Sequence, residues 1–303
     1  MPWDNVLAGF ENVVQNKPMY TRREGQLAGH DNLQLFFQVW QNPKAKGTII
    51  ICHGQGEHSE SYNRLIEAFK NDQWSFYAMD LRGHGRSDGK RGYAGNFEDY
   101  CKDYHLFVEK ILHESKSSTG PTVLLGHSLG GLIQLKTMID HSEMKVAAQV
   151  CSSPLLGVAV PVPEWKTRAA DVLNQWLPKV TLWNEITNDM LSRDLDAIRE
   201  FEQDVLRHNR MSPGVFLGFK NAIEVVQARA SEITLPTLFQ IPENDPVVSS
   251  TDSQKFFQNI SSKIKKINIY GDGARHEIYN DLERQKAYDD LKSFLDSVME
   301  NEK

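Results

Sequence analysis

The stretch "TVLLGHSLGGLIQL", Thr122 to Leu135, constrains the fold more than any other. Apolar and β-branched residues lead into Gly126, His127, Ser128, Leu129, Gly130 and Gly131, and a second apolar stretch follows. A short apolar run that stops at small residues reads as a buried strand, and the longer run after it as a helix. A serine on so sharp a strand-to-helix turn stands clear of the sheet, where a carbonyl carbon can reach its hydroxyl. The surrounding glycines let strand and helix backbones pass close together. The helix opening after Ser128 also aims its first N–H groups at developing negative charge. A serine hydroxyl is a weak nucleophile until a base takes its proton. The turn therefore predicts a nucleophile at Ser128, with an ordinary glycine-rich turn as the plain alternative. The presence of a base and an acid decides between the two.

The rest of the chain repeats the strand-then-helix rhythm. Apolar runs predict strands over residues 33–40, 47–52, 74–80, 121–126, 146–152, 236–241 and 264–270. Helical periodicity covers residues 62–71, 97–115, 130–141, 252–260 and 282–299. Several strands are apolar almost throughout, as expected when both faces of a sheet are covered. The alternation predicts an α/β fold: a mostly parallel sheet with helices on both faces. One interval breaks it. About 80 residues, 154–235, separate the strand ending at Ser152 from the next, too many for a simple crossover. The interval has its own helical patterns, "WKTRAADVLNQWLPKV" and "SRDLDAIREFEQDVLRHN". It reads as an inserted helical cap between a first core part, 1–153, and a second, 236–303.

On a sheet with this turn the partners follow the serine in the order acid, then histidine. Three histidines lie downstream of Ser128. His141 ends the helix that begins at the turn, and His208 falls in the cap. His276, in "YGDGARHEIYND", follows the last strand, where a loop can reach back over the sheet. For the acid, "VCSSPLLG" offers no carboxylate, whereas "PTLFQIPENDPVVS" offers Glu243 and Asp245. Asp245, followed by "PVV", is the favoured position and Glu243 the fallback. Asp272 and Asp281 read as local caps. An oxyanion hole needs two backbone N–H donors. Leu129, after the nucleophile, is one, and Gln55, in "CHGQGEH" after an early strand, is the other. No Lys-Ser or Lys-Thr follows that loop and no GxGxxG is complete, so it is not a phosphate loop.

Taken together, "HGQGEHSESY", "MDLRGHGRSDG", "GHSLGG", "ENDPVVS" and "ARHEIYND" resemble the monoacylglycerol lipase and lysophospholipase group of α/β-hydrolases, in order and spacing over nearly the whole chain. The resemblance implies an eight-stranded core sheet with a helical cap over the active site. It implies Ser128, Asp245 and His276 as the triad, Gln55 and Leu129 at the oxyanion hole, and no metal or organic cofactor. The group tends to carry a smaller residue where this chain has Gln55, and its usual glycine before the acid turn is replaced in "IPENDP". His84 and Arg86, in "DLRGHGRSDGKRGY", read as structural residues shaping a loop near the pocket.

The implied reaction is hydrolysis of the acyl ester of a single-chain glycerolipid, a monoacylglycerol or a lysophospholipid. A general carboxylesterase or a prolyl-type aminopeptidase on the same scaffold is the alternative. For the peptidase, acidic cap residues such as Glu200, Glu202 and Asp204 would hold a free amine, although they also read as a solvated helix face. A non-catalytic interaction protein would be expected to have lost a triad member, and none is lost. Trp165, Ala169, Val172, Leu173, Trp176 and Leu177 form an apolar stripe at helical spacing. It would pack onto the body beneath, line an acyl tunnel or touch a membrane surface.

Composition removes other classes. Acidic residues number 40 against 34 Lys and Arg, with no basic stripe, so nucleic acid is not an expected partner. Cys52, Cys101 and Cys151 are far apart, without zinc or CxxC spacing, which favours a reducing compartment. The first residues lack the charged-then-apolar pattern of a secretory signal, and no apolar run reaches 18 residues. The expectation is a cytoplasmic protein, peripheral to membranes at most through its cap.

Overall fold

The computed structural model describes residues 20–114 and 120–301. The amino-terminal segment read above for a secretory signal lies outside them. Eight strands form one sheet: β1 (Thr21–Ala28), β2 (Gln34–Gln41), β3 (Gly47–Cys52), β4 (Trp74–Met79), β5 (Thr122–His127), β6 (Ala148–Ser152), β9 (Thr237–Pro242) and β10 (Lys265–Tyr270). Their order is β1-β2-β4-β3-β5-β6-β9-β10. β2 pairs antiparallel with β1 and β4, and every other pairing is parallel. The remaining two strands, β7 (Leu182–Trp183) and β8 (Arg210–Met211), pair with each other outside this sheet.

Alternation along the central strands builds a core on each face. Ile49, Ile51, Val123, Leu125 and Val150 point one way, against α1 (Asn63–Ala68) and α9 (Arg284–Asn301). Ile50, Cys52, Leu124 and Cys151 point the other way, into a cluster with α2 (Glu98–Glu114), α3 (Leu129–Asp140), α7 (Pro213–Ala228) and α8 (Ser250–Asn259). Every residue of β3 and β5 is buried, so the central strands need apolar residues at consecutive positions. The expected α/β-hydrolase fold is present, a mostly parallel eight-stranded sheet with helices on both faces.

β1 was not anticipated, because "TRREGQLA" is polar. It is an exposed edge strand, and charge on an edge blocks pairing with other chains. Between β6 and β9 lie α4 (Glu164–Trp176), α5 (Asn188–Leu191), α6 (Leu195–Gln203), the β7–β8 pair and α7. α6 is shorter than its pattern suggested, because Asp194 caps its start and the chain leaves the helix at Asp204. α7 differs from the others. Val215, Phe219, Ala222 and Val226 are buried in the same cluster as α2 and α3. Its C-cap residue, Arg229, reaches Asp140 and the Ile139 carbonyl at the end of α3. α7 is therefore the crossover helix between β6 and β9, and the additional material precedes Pro213.

Candidate active site

Three loops, at the carboxyl ends of β5, β9 and β10, bring Ser128, Asp245 and His276 together. Ser128 joins β5 to α3 with φ 53° and ψ −121°, a region serine enters only when its surroundings hold it there. They do so through three N–H groups, those of Gly131, Leu132 and Leu155, which all donate to the Ser128 carbonyl. Gly130 lies so close to β3 that a Cβ there would stand 2.2 Å from the Cys52 carbonyl oxygen. Only glycine permits this approach of helix to strand.

His276, on the loop between β10 and α9, brings Nε2 to 2.8 Å from Ser128 Oγ. Its Nδ1 lies 2.7 Å from Asp245 Oδ2. Asp245 sits after β9, where its other oxygen accepts from the Val247 and Val248 N–H groups at 2.8 and 3.2 Å. All three residues are buried, whereas Glu243 is exposed. Burial works against a charged His276, but the Asp245 carboxylate outweighs it and holds the imidazole pKa above its ordinary value. Burial likewise pushes Asp245 up, and His276 with the two backbone donors brings it below the usual carboxylate range. The pair suits a base that must take a proton and be stabilised once it has it.

The loop carrying Gln55 lies against the serine, with Gly54 at the distance where a Cβ would come to 3.0 Å from Ser128 Cβ. The side chain of Glu57 braces it, Oε1 accepting from Gly54 N at 2.6 Å and from the Tyr62 hydroxyl at 3.0 Å. Burial and the nearby Glu277 raise the Glu57 carboxyl to about 7. Leu129 opens the first turn of α3 directly after the serine.

These residues face a cleft of about 280 Å³ that the cap also lines. Arg207, from the cap, pairs with Glu277 and sits 3.3 Å from Ser61 Oγ. Glu202 and Asp204 reach the cleft wall, and Asp204 is 2.7 Å from His58 Nε2. Glu200 points elsewhere and pairs with Arg64. Glu57, Arg207 and Glu277 escaped the sequence reading. The first lies inside a quoted motif and the last adjoins His276, but Arg207 has no local signal. His84 is buried, its ring 4.6 Å from His208, and Arg86 pairs with Glu24 and Glu60. Asp281 is buried, accepts from the Arg275 and Arg193 N–H groups at 2.9 and 2.7 Å, and pairs with the Arg193 guanidinium at 2.9 Å. Among the described residues no cluster of three or more His, Cys, Asp or Glu could hold a metal ion.

A second cavity, about 420 Å³, runs between α4, the β7–β8 pair and the start of α7. Trp165, Leu173, Leu182 and Phe216 line it, and Asn184 lines both it and the cleft. The α4 stripe is largely exposed, although α4 itself lies against α7, where Lys220 Nζ is 3.4 Å from Thr167 Oγ1. No α4 residue is buried, and Trp176 is 75% exposed.

The profile of the Hydrolase_4 family, described as serine aminopeptidase, S33, matches residues 43–283. The chain belongs to this family. Among its relatives, human monoglyceride lipase is 31% identical over 258 residues, 82% of each chain. An uncharacterized abhydrolase domain-containing protein of Dictyostelium discoideum is 27% identical over 285 residues. That match covers 93% of this chain and 30% of the Dictyostelium protein. The crystal structure of Paleococcus ferrophilus monoacylglycerol lipase superposes with TM-score 0.78 at 29% identity, covering 87% of this chain and 99% of that one. The resemblance to monoacylglycerol lipases seen in the motifs extends to the fold.

Proposed function

We propose that the chain hydrolyses the acyl ester of single-chain glycerolipids, with Ser128, His276 and Asp245 as its triad. The observation carrying this reading is the continuous hydrogen-bonded line from Ser128 Oγ through His276 to Asp245, on the floor of an open cleft. Ser128 Oγ attacks the ester carbonyl as His276 Nε2 takes its proton. The Gln55 and Leu129 N–H groups receive the oxyanion, and the imidazolium protonates the departing alcohol. Water, activated by the same imidazole, then releases the fatty acid from Ser128. The polar wall of Glu57, Arg207 and Glu277 suits a hydroxylated head group, and the apolar cap cavity suits an acyl chain.

Of residues 154–235, those before Pro213 act as the cap over this site. The exposed Trp165, Val172, Trp176 and Trp183 give it a face fit for transient contact with a lipid surface. No described helix is long and apolar enough to cross a membrane, and the chain works as a peripheral, cytoplasmic enzyme. An amine-binding peptidase is the second reading, favoured by Glu202 and Asp204 on the cleft wall. It is weakened by Arg207 beside them and by the tie of Asp204 to His58. Monoacylglycerols, lysophosphatidylcholine, short p-nitrophenyl esters and prolyl amides, assayed side by side, separate these readings. Rising kcat/KM from four to twelve acyl carbons is expected, since each buried methylene contributes about 0.8 kcal/mol. A flat trend, or faster amide cleavage, rejects the lipase.

A further inference from the structure

The loop bearing the first oxyanion donor is fastened directly to the cap. His208 N donates to the Gly56 carbonyl at 2.9 Å, and Ser212 N to the Gly92 carbonyl at 2.8 Å. Between them, the Gln55 side-chain amide Nε2 donates to the Arg210 carbonyl at 2.8 Å. The contact is close along its length. Gly56 has φ +81°, and a Cβ there would lie 2.1 Å from the His208 carbonyl oxygen. On its other side the loop is held by Glu57 Oε1 through Gly54 N. Gln55 is thus the middle of a short span with one anchor in the core and one in the cap. Its own backbone N–H is the oxyanion donor of the reading above.

We infer that Gln55 is a positioning residue: its side-chain amide, tied to the Arg210 carbonyl, orients its own backbone N–H, so that seating of the cap sets the geometry of the oxyanion hole. The inference rests on the triad and oxyanion reading above. Its physical basis is that oxyanion stabilisation depends on donor placement at the transition state, while a ground-state ester makes little use of that donor. A shift of about 1 Å in a catalytic group can cost roughly 10²-fold in rate. A turnover effect with little change in KM is therefore the expected signature.

The test uses the full chain with Gln55→Ala and Gln55→Met, the latter keeping the side-chain bulk without the donor. Turnover of monolauroylglycerol is measured together with inhibition by a long-chain alkyl trifluoromethyl ketone, which forms an oxyanion on the serine. The expected result is a fall in kcat of roughly 10- to 100-fold with KM changed less than about threefold. The ketone inhibition constant should rise by the same factor as kcat falls. Folded Gln55→Met with kcat within twofold of the parent overturns the inference. So does a fall in kcat with ketone affinity unchanged, because the oxyanion site would then be intact. Labelling of the parent chain by a fluorophosphonate separates the two levels. If Ser128 is not labelled, the triad reading itself fails. If it is labelled and Gln55→Met turns over normally, only the role of Gln55 fails.

Discussion

Ser128 occupies a left-handed backbone region in a site where three N–H donors converge on its carbonyl. Those bonds are made by the main chain and do not need the hydroxyl. Ser128→Ala should therefore fold with a near-parental unfolding midpoint while turnover drops on the order of 10⁶-fold. Retention of a tenth of the activity would show the wrong nucleophile. Asp245→Asn should lower kcat roughly 10⁴-fold, and Glu243→Gln, exposed and away from the imidazole, far less. The pH profile adds a sign. His276 must be neutral to act as base, so kcat/KM climbs as pH rises through its pKa, which lies above the ordinary histidine value. Without the Asp245 charge, burial dominates, and the acid limb of the remaining activity should move to lower pH. A limb that stays in place would mean that another group holds the proton. Ser128, Asp245 and His276 could be found in the sequence because each sits in a short motif at a strand end. Arg207 could not, because its role comes from Glu277, 70 positions away along the chain.

Elements differ in how far their own residues announce them. The buried strands were readable because both faces demand apolar side chains, whereas β1 was hidden by the polarity an edge requires. α7 was hidden differently: residues 213–228 sit within the long insertion but pack into the main core. For α3, two effects oppose each other at Gly130. Alanine is the better helix former by about 1 kcal/mol, yet its Cβ would stand 2.2 and 2.4 Å from the Cys52 and His53 carbonyl oxygens. The clash is with backbone and should win, so Gly130→Ala is expected to lower the melting temperature and the activity together. A more stable variant would show that β3 gives way. For α4, the 75% exposure of Trp176 argues against a packing role. Trp176→Ser should change stability by less than about 0.5 kcal/mol while weakening co-sedimentation with neutral lipid vesicles. Unchanged vesicle binding would remove this tryptophan from the lipid-contact face.

At the scale of the whole molecule, the three cysteines report on cooperativity. Cys52 and Cys151 sit in or beside the central strands and Cys101 in α2, all buried, with burial pushing each thiol well up. Ellman's reagent should find almost no thiol in the native protein and three after unfolding, at a rate that follows the loss of helical signal. Early labelling of one thiol would reveal a part of the sheet that opens alone. The cap is tied to the core at specific places: the His276 and Glu277 N–H groups donate to the Met190 and Leu191 carbonyls, and Arg193 pairs with Asp281. Substrate range in such a scaffold invites exchange of the cap for one from another protein, and the first cut points to try are the ends of the insertion. The fastening of residues 204–212 to the loops at Gly56, His58, Gly83 and Gly92 moves the downstream cut. A graft that replaces residues only up to 186 exchanges the cavity wall formed by α4 and β7 and leaves native both this fastening and that of residues 190–194 to the His276 loop. A graft reaching Pro213 would carry a foreign strap against the catalytic loops, and a transplant chosen for specificity would lose turnover.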